Sequence, residues 1–232
     1  MNNLKFKYVF KWDDGVKNSY QLELDPESIT IKHPQPKQVP DWARLDFKQC
    51  PNCPLQIEQS PYCPMAYHLI EACTLFSDLH SHKELQLIVN TNERSIIKDT
   101  TAQRAISSLL GLIIPASGCP HTAFFRPMAR FHLPLSSEDE TIFRATGMYL
   151  LAQYFLNQDK QNIDLKLNGL SEIYQQLHIV NNHIAERFRE AFSNDSTVNA
   201  VILLDIFAKT MPYAIDDSLE EIKYLFKPYL TE

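Results

Sequence analysis

Glycine is scarce in this chain, with five residues in 232, at positions 15, 111, 118, 147 and 169. Dinucleotide-binding and P-loop folds need clustered glycines so that the backbone can approach phosphates closely. No such cluster is present, which argues against those nucleotide folds. Long apolar runs are also missing. The longest stretch, LLGLIIPA at 109–116, falls well short of the ~20 residues that span a bilayer. The opening MNNLKFKYVFKW alternates apolar and basic residues and lacks the continuous apolar core of a signal peptide. Positive charge is not in excess either: 22 Lys and Arg stand against 28 Asp and Glu, a net charge of −6. That balance speaks against a broad nucleic-acid or anionic-membrane surface. Five cysteines is an odd count and a poor start for a disulfide framework. No Ser/His/Asp order, paired-carboxylate spacing or H-E-x-x-H signal occurs, so catalysis has no direct support and enzyme activity stays an open question. These absences lead to the expectation of a cytoplasmic protein with reduced thiols and no membrane association.

What is present fits an ordinary globular chain, with 44% apolar and 22% charged residues. A chain of this length buries roughly 70% of its unfolded surface and needs no staple merely to fold. Leu4, Phe6, Tyr8, Phe10 and Trp12 alternate with lysines, the period of a half-buried strand. The DDG turn at 13–15 leads into a second strand, SYQLELD, and SITIKH at 28–33 reads as a third. A connector with prolines at 34, 36 and 40 follows. Ala66, Leu69, Ile70, Cys73 and Phe76 recur at helical spacing after Pro64, and ELQLIVN places Leu85, Leu87 and Val89 on one strand face. TTAQ at 100–103 has capping-box form, and SSEDE opens another helix with serine caps and an acidic first turn. Further helical stretches lie near 170–192, 196–210 and 217–226. The expected fold is α+β in a single domain over 1–232. It consists of an N-terminal antiparallel β-meander (1–33), a mixed middle region with the cysteines and a basic strand (34–135), and a mostly helical C-terminal half (136–232), all sharing one core.

Four of the five cysteines, Cys50, Cys53, Cys63 and Cys119, are followed directly by proline; Cys73 is not. Cys50 and Cys53 form a C-x-x-C pair, which brings two sulfurs to one metal, and zinc and iron–sulfur centres both take four soft ligands. The expected ligand set is therefore Cys50, Cys53, Cys63 and Cys119, with Zn2+ favoured over an iron–sulfur cluster. Buried loop cysteines without a metal are the plainer alternative. Cys73 falls on an apolar helix face and reads as a small core residue. His68 and His121 rank below the cysteines as ligands. CPNC is similar to the C-P-x-C site of glutaredoxin-like proteins, but Pro54 and Pro61 interrupt the long helix that such a site requires.

In FFRPMARFHLP, Pro127 disfavours helical geometry at Arg126. An extended chain then puts Arg126, Arg130 and His132 on one face, a candidate anion site beside the metal. Pairing with nearby carboxylates such as Glu138, Asp139 or Glu140 would account for the arginines equally well. Arg94, Thr101 and Gln103 are candidates to complete a polar pocket. The segments QCPNCPL, SGCP, RPMARFHLP and YLLAQYF, in this order, resemble a family of uncharacterised bacterial proteins over nearly the whole length. That resemblance implies one bacterial cytoplasmic unit and assigns no reaction. The expected function is metal binding, with an Arg/His face for a small anionic ligand or a protein partner. The alternatives are an enzyme acting on a small anionic substrate and a purely structural, zinc-stapled interaction protein.

Overall fold

A computed structural model of the chain describes residues 2–13, 15–32, 38–76, 80–192, 198–202, 204–205, 208–209 and 219–230. Among them, four antiparallel strands, β1 (Leu4–Trp12), β2 (Lys17–Leu24), β3 (Glu84–Thr91) and β4 (Ser95–Thr101), form one sheet in the order β2-β1-β3-β4. Tyr8 in the central strand pairs with Tyr20 on one side and Val89 on the other. The period-two pattern sets the buried face: Leu4, Phe6, Tyr8, Phe10 and Trp12 are all buried, while Lys5, Lys7 and Lys11 face solvent. Gly15 closes the β1–β2 turn at φ 81°, donating to the Trp12 carbonyl.

Of the third meander strand expected at 28–33, the described residues, 28–32, form none. Asp25 instead accepts from the backbone N–H groups of Glu27 (3.0 Å) and Ser28 (2.9 Å) and pairs with Lys32 at 2.8 Å. Ile29 takes a left-handed conformation at φ 53°, and only a single bridge, Leu24 to Ile31, joins the segment to β2. A side-chain turn has competed with the sheet ladder and won. The sequence reading also missed β4. Its residues are mostly exposed, so no apolar alternation marks it.

Helix α1 (Pro64–Leu75) and helix α2 (Ala102–Ala116) belong to the same apolar cluster as the sheet face. Phe10 meets Phe76 at a ring distance of 4.5 Å, and the Tyr8 hydroxyl lies 3.4 Å from the Ser108 carbonyl of α2. The capping box expected from TTAQ is absent. The first amides of α2 donate to backbone carbonyls, Ala102 to Lys83 and Gln103 to Ser81, and no side chain caps the helix. Helix α3 (Arg126–Arg130) is short, and helix α4 (Glu138–Gln158) starts at the expected serine cap, Ser137, which forms a capping box with Glu140. Helix α5 (Asn168–Ala191) spans two apolar clusters. Val180, Ile184 and Phe188 join the sheet core, while Leu170 and Tyr174 join Phe125, Ile142 and Ala145. Residues 198–202 and 219–222 are helical, and Lys227–Leu230 forms a short terminal helix. Pro34, Pro36 and much of 196–218 lie outside the described residues. The α+β class stands, with the sheet leading and helices filling the C-terminal half.

Candidate functional site

Two of the four Cys-Pro pairs act as helix starters. Cys63 (φ −65°, ψ 117°) and Cys119 (φ −64°, ψ 126°) are extended, as residues before proline are. Pro64 opens α1 and Pro120 opens the 3-10 turn Pro120–Phe125, each at a position where the missing N–H costs nothing. The C-x-x-C pair closes a turn in which the Cys53 N–H donates to the Cys50 carbonyl at 3.0 Å. The chain before Cys119 runs against the chain after Cys63. Gly118 sits at φ 90°, and a Cβ placed on it would lie 3.8 Å from Cβ of Pro64.

The four thiols share one electrostatic neighbourhood. Burial pushes the Cys50 thiol up to about 12, with further upward contributions from Cys63, Cys119 and Cys53. Burial likewise pushes Cys119 up to about 11, and Cys63 and Cys53 again add to it. The His121 backbone amide and the Thr122 side chain oppose the rise, and the Thr122 hydroxyl donates to the Ile114 carbonyl at 2.9 Å. Cys73 is apart: it is fully buried in α1, and burial alone raises its pKa. His121 uses its ring elsewhere, with Nε2 at 2.6 Å from the Asn52 carbonyl inside the CPNC turn. Asn52 in turn donates Nδ2 to Oε1 of Gln176 on α5 at 2.7 Å. The turn is thus held from two sides. In the conformation described, no three His, Cys, Asp or Glu side chains among the described residues are arranged to hold a metal ion.

Arg187 is the neighbour that sequence reading overlooked. Its side chain is 1% exposed, and it donates Nη1 to the carbonyls of Trp42 and Arg44 at 2.7 Å and Nη2 to that of Leu45 at 3.1 Å. Its Nε has no partner. Burial lowers its pKa, while Cys63, Cys50, Cys53 and Asp46 pull it upward, in that order of size. Asp46 is committed to Arg44 through two bonds of 3.0 Å, and no carboxylate among the described residues pairs with Arg187. A signal was available: Arg187 occupies a helical position among Val180, Ile184 and Phe188, where an apolar residue is expected.

The basic stretch departs from expectation. Residues 126–130 form α3, so the extended row of Arg126, Arg130 and His132 does not exist. Pro127 sits in the first turn, where proline suits a helix. One helical turn still aligns Arg126 with Arg130. Neither has an ion-pair partner among the described residues, Arg130 lies over the Phe131 ring at 5.2 Å, and Nε of Arg126 is buried without a bond. His132 turns inward instead, with Nε2 at 2.5 Å from the Tyr8 hydroxyl. Burial first, and then the Arg144 charge, push its pKa down to about 3.

His132 lines a cleft of about 990 Å³ together with Thr101 and Gln103 from the expected polar pocket. Arg94, Arg126 and Arg130 are not in its walls. Arg104, Arg144 and Asn181, none of them foreseen, are.

The chain belongs to a family defined by a domain of unknown function, DUF6901, whose family model matches residues 6–227. No curated protein and no solved structure matches it. No single helix among the described residues is long and apolar enough to cross a membrane.

Proposed function

We propose that this DUF6901 domain binds a metal through Cys50, Cys53, Cys63 and Cys119, with zinc as the preferred ion. The observation that carries the reading is the buried Arg187 guanidinium, without a carboxylate partner, in the electrostatic reach of Cys50, Cys53 and Cys63. A buried cation left uncompensated costs several kcal/mol, on the order of 3–5. Neutral thiols do not compensate it. A divalent ion in four thiolates is a net anion, so metal binding would supply the missing counter-charge, and its affinity would also have to cover the release of the thiol protons. The His121 backbone N–H beside Cys119 would serve a thiolate better than a thiol.

Four cysteine ligands close the shell of a zinc ion and leave no position for water. The centre would then be a staple tying the 50–53 turn, the start of α1 and the end of α2, and would not hydrolyse a substrate. An iron–sulfur cluster takes the same donors and separates from zinc in one measurement. Protein purified without oxygen is expected to carry one zinc per chain, without colour, as read by elemental analysis and absorption. Iron with sulfide and a brown colour would move the assignment to the cluster. Cys50→Ser and Cys119→Ser are expected to lose the metal, and Cys73→Ala to keep it. Protein without either metal, with Cys119→Ser as stable as the parent, sinks the reading.

A further inference from the structure

The cleft contains polar groups that neither the packing nor the proposed metal centre uses. Asn181 of α5 lines it at 1% exposure, and its Nδ2 has no hydrogen-bond partner. The hydroxyl of Thr101, also in the wall, is buried without a partner. A buried polar group left unpaired costs about 1–3 kcal/mol, and an amide nitrogen can be satisfied only by an acceptor.

The charges around the cleft ask for the same kind of group. Lys98, Arg104 and Arg144 line it against two carboxylates, Asp99 and Glu138. Asp99 already accepts from Nε2 of Gln86 at 3.0 Å. Arg144 is aimed by its own bonds, since Nη2 donates to the carbonyls of Met128 and Phe131 at 2.9 Å each. Gln103 and Arg104 belong to the first turn of α2, which carries no acidic residue, so the positive end of that 15-residue helix borders the cleft. The first turn of α4 borders it too, but Glu138, Asp139 and Glu140 offset that end. The wall also carries apolar side chains, among them Ile114, Phe125, Leu133, Leu135 and Leu177, beside hydroxyl residues such as Ser107, Ser108 and Thr141.

We infer that this cleft binds an organic anion, with a carboxylate or phosphate-ester head meeting Arg104, Arg144 and the Asn181 amide, and an apolar body lying on the wall beneath. The volume suits such a ligand, because small-molecule sites run from roughly 300 to 1,000 Å³ and are mostly apolar with a few convergent polar groups. This site is separate from the cysteines and stands or falls without them.

The test is calorimetric titration of the full chain at low ionic strength with octanoate, octyl phosphate and 1-octanol, which share a body and differ in the head. At least one of the two anions is expected to bind, and to bind about tenfold or more tightly than the alcohol. Arg104→Gln, on an exposed residue without an ion-pair partner among the described residues, is expected to weaken that anion about 3- to 10-fold. Asn181→Leu, which keeps the branched shape and removes the donor, is expected to weaken it about tenfold. Metal content should be unchanged in both variants. Failure of both anions to bind, equal binding of the alcohol, or undiminished binding by Arg104→Gln overturns the inference. Anion binding by protein that holds no metal would leave it intact and remove only the metal reading.

Discussion

Arg187 shows how one residue can change the reading of a site. The cysteines were visible as a set because proline follows each ligand candidate, and the structure places Cys50, Cys53, Cys63 and Cys119 within one electrostatic neighbourhood. The cation beside them was hidden, because it enters from α5, more than 120 residues beyond Cys63. Sequence distance carries no information on that approach. Arg187→Met removes the charge and leaves the carbonyls of Trp42, Arg44 and Leu45 without a donor. A loss of about 3–5 kcal/mol is expected in urea unfolding, together with faster loss of metal to a chelator. Arg187→Lys should recover part of the metal retention and little of the stability, since an ammonium cannot match the fork. If both variants retain metal like the parent, the guanidinium is not the counter-charge of the centre. Gly118 is a second residue whose role is local. At φ 90° it has room for a methyl group but not the conformation for one, so Gly118→Ala is expected to cost about 1–2 kcal/mol in the same assay.

Elements were legible where their periodicity had a buried face to report. Strand β1 and helix α1 each bury the residues whose spacing announced them. Strand β4 has no such face, and the segment after β2 has the right composition but is captured by the Asp25 turn. The stretch after Cys119 failed for a different reason. Proline at 127 disfavours helical geometry at Arg126, but the 3-10 turn ending at Phe125 already sets the helical entry, and α3 follows from it. Caps give the sharpest contrast, because TTAQ and SSEDE look alike in sequence. Ser137 accepts from the Glu140 N–H at 3.1 Å and its own N–H is bonded to Oε2 of Glu140 at 2.7 Å, whereas Thr101 caps nothing. Ser137→Ala is therefore expected to cost about 1 kcal/mol. Thr101→Ala should cost a few tenths at most, since its hydroxyl is buried and unpaired. Equal losses in the two variants would refute the distinction.

Across the whole molecule, His132 joins the parts that the sequence presented separately. Its ring touches the central strand through Tyr8 and Phe6, lines the cleft, and faces the Arg144 charge of α4. A proton there would place a second cation beside Arg144 in a desolvated setting, and this keeps the folded-state pKa at about 3. In the unfolded chain the ring titrates near its ordinary value of about 6.5. Between those values the unfolded state binds the extra proton and the folded state does not. Stability is complete above about pH 6.5 and is drawn off as the pH falls toward 3, by up to about 1.4 kcal/mol per pH unit for one proton. The carboxyls of Asp46 and Asp164, held low by hydrogen bonds from Arg44 and Gly169, add to the acid loss only once the pH enters the carboxylate range. The upper part of the acid limb therefore isolates the histidine. Urea midpoints at several values between pH 7.5 and 5 are expected to fall for the parent chain and to stay nearly level for His132→Gln, which retains polar capacity but cannot take the proton. Parallel slopes for the two proteins would mean that the ring is free to charge in the fold and that sheet, cleft and α4 are not coupled through it.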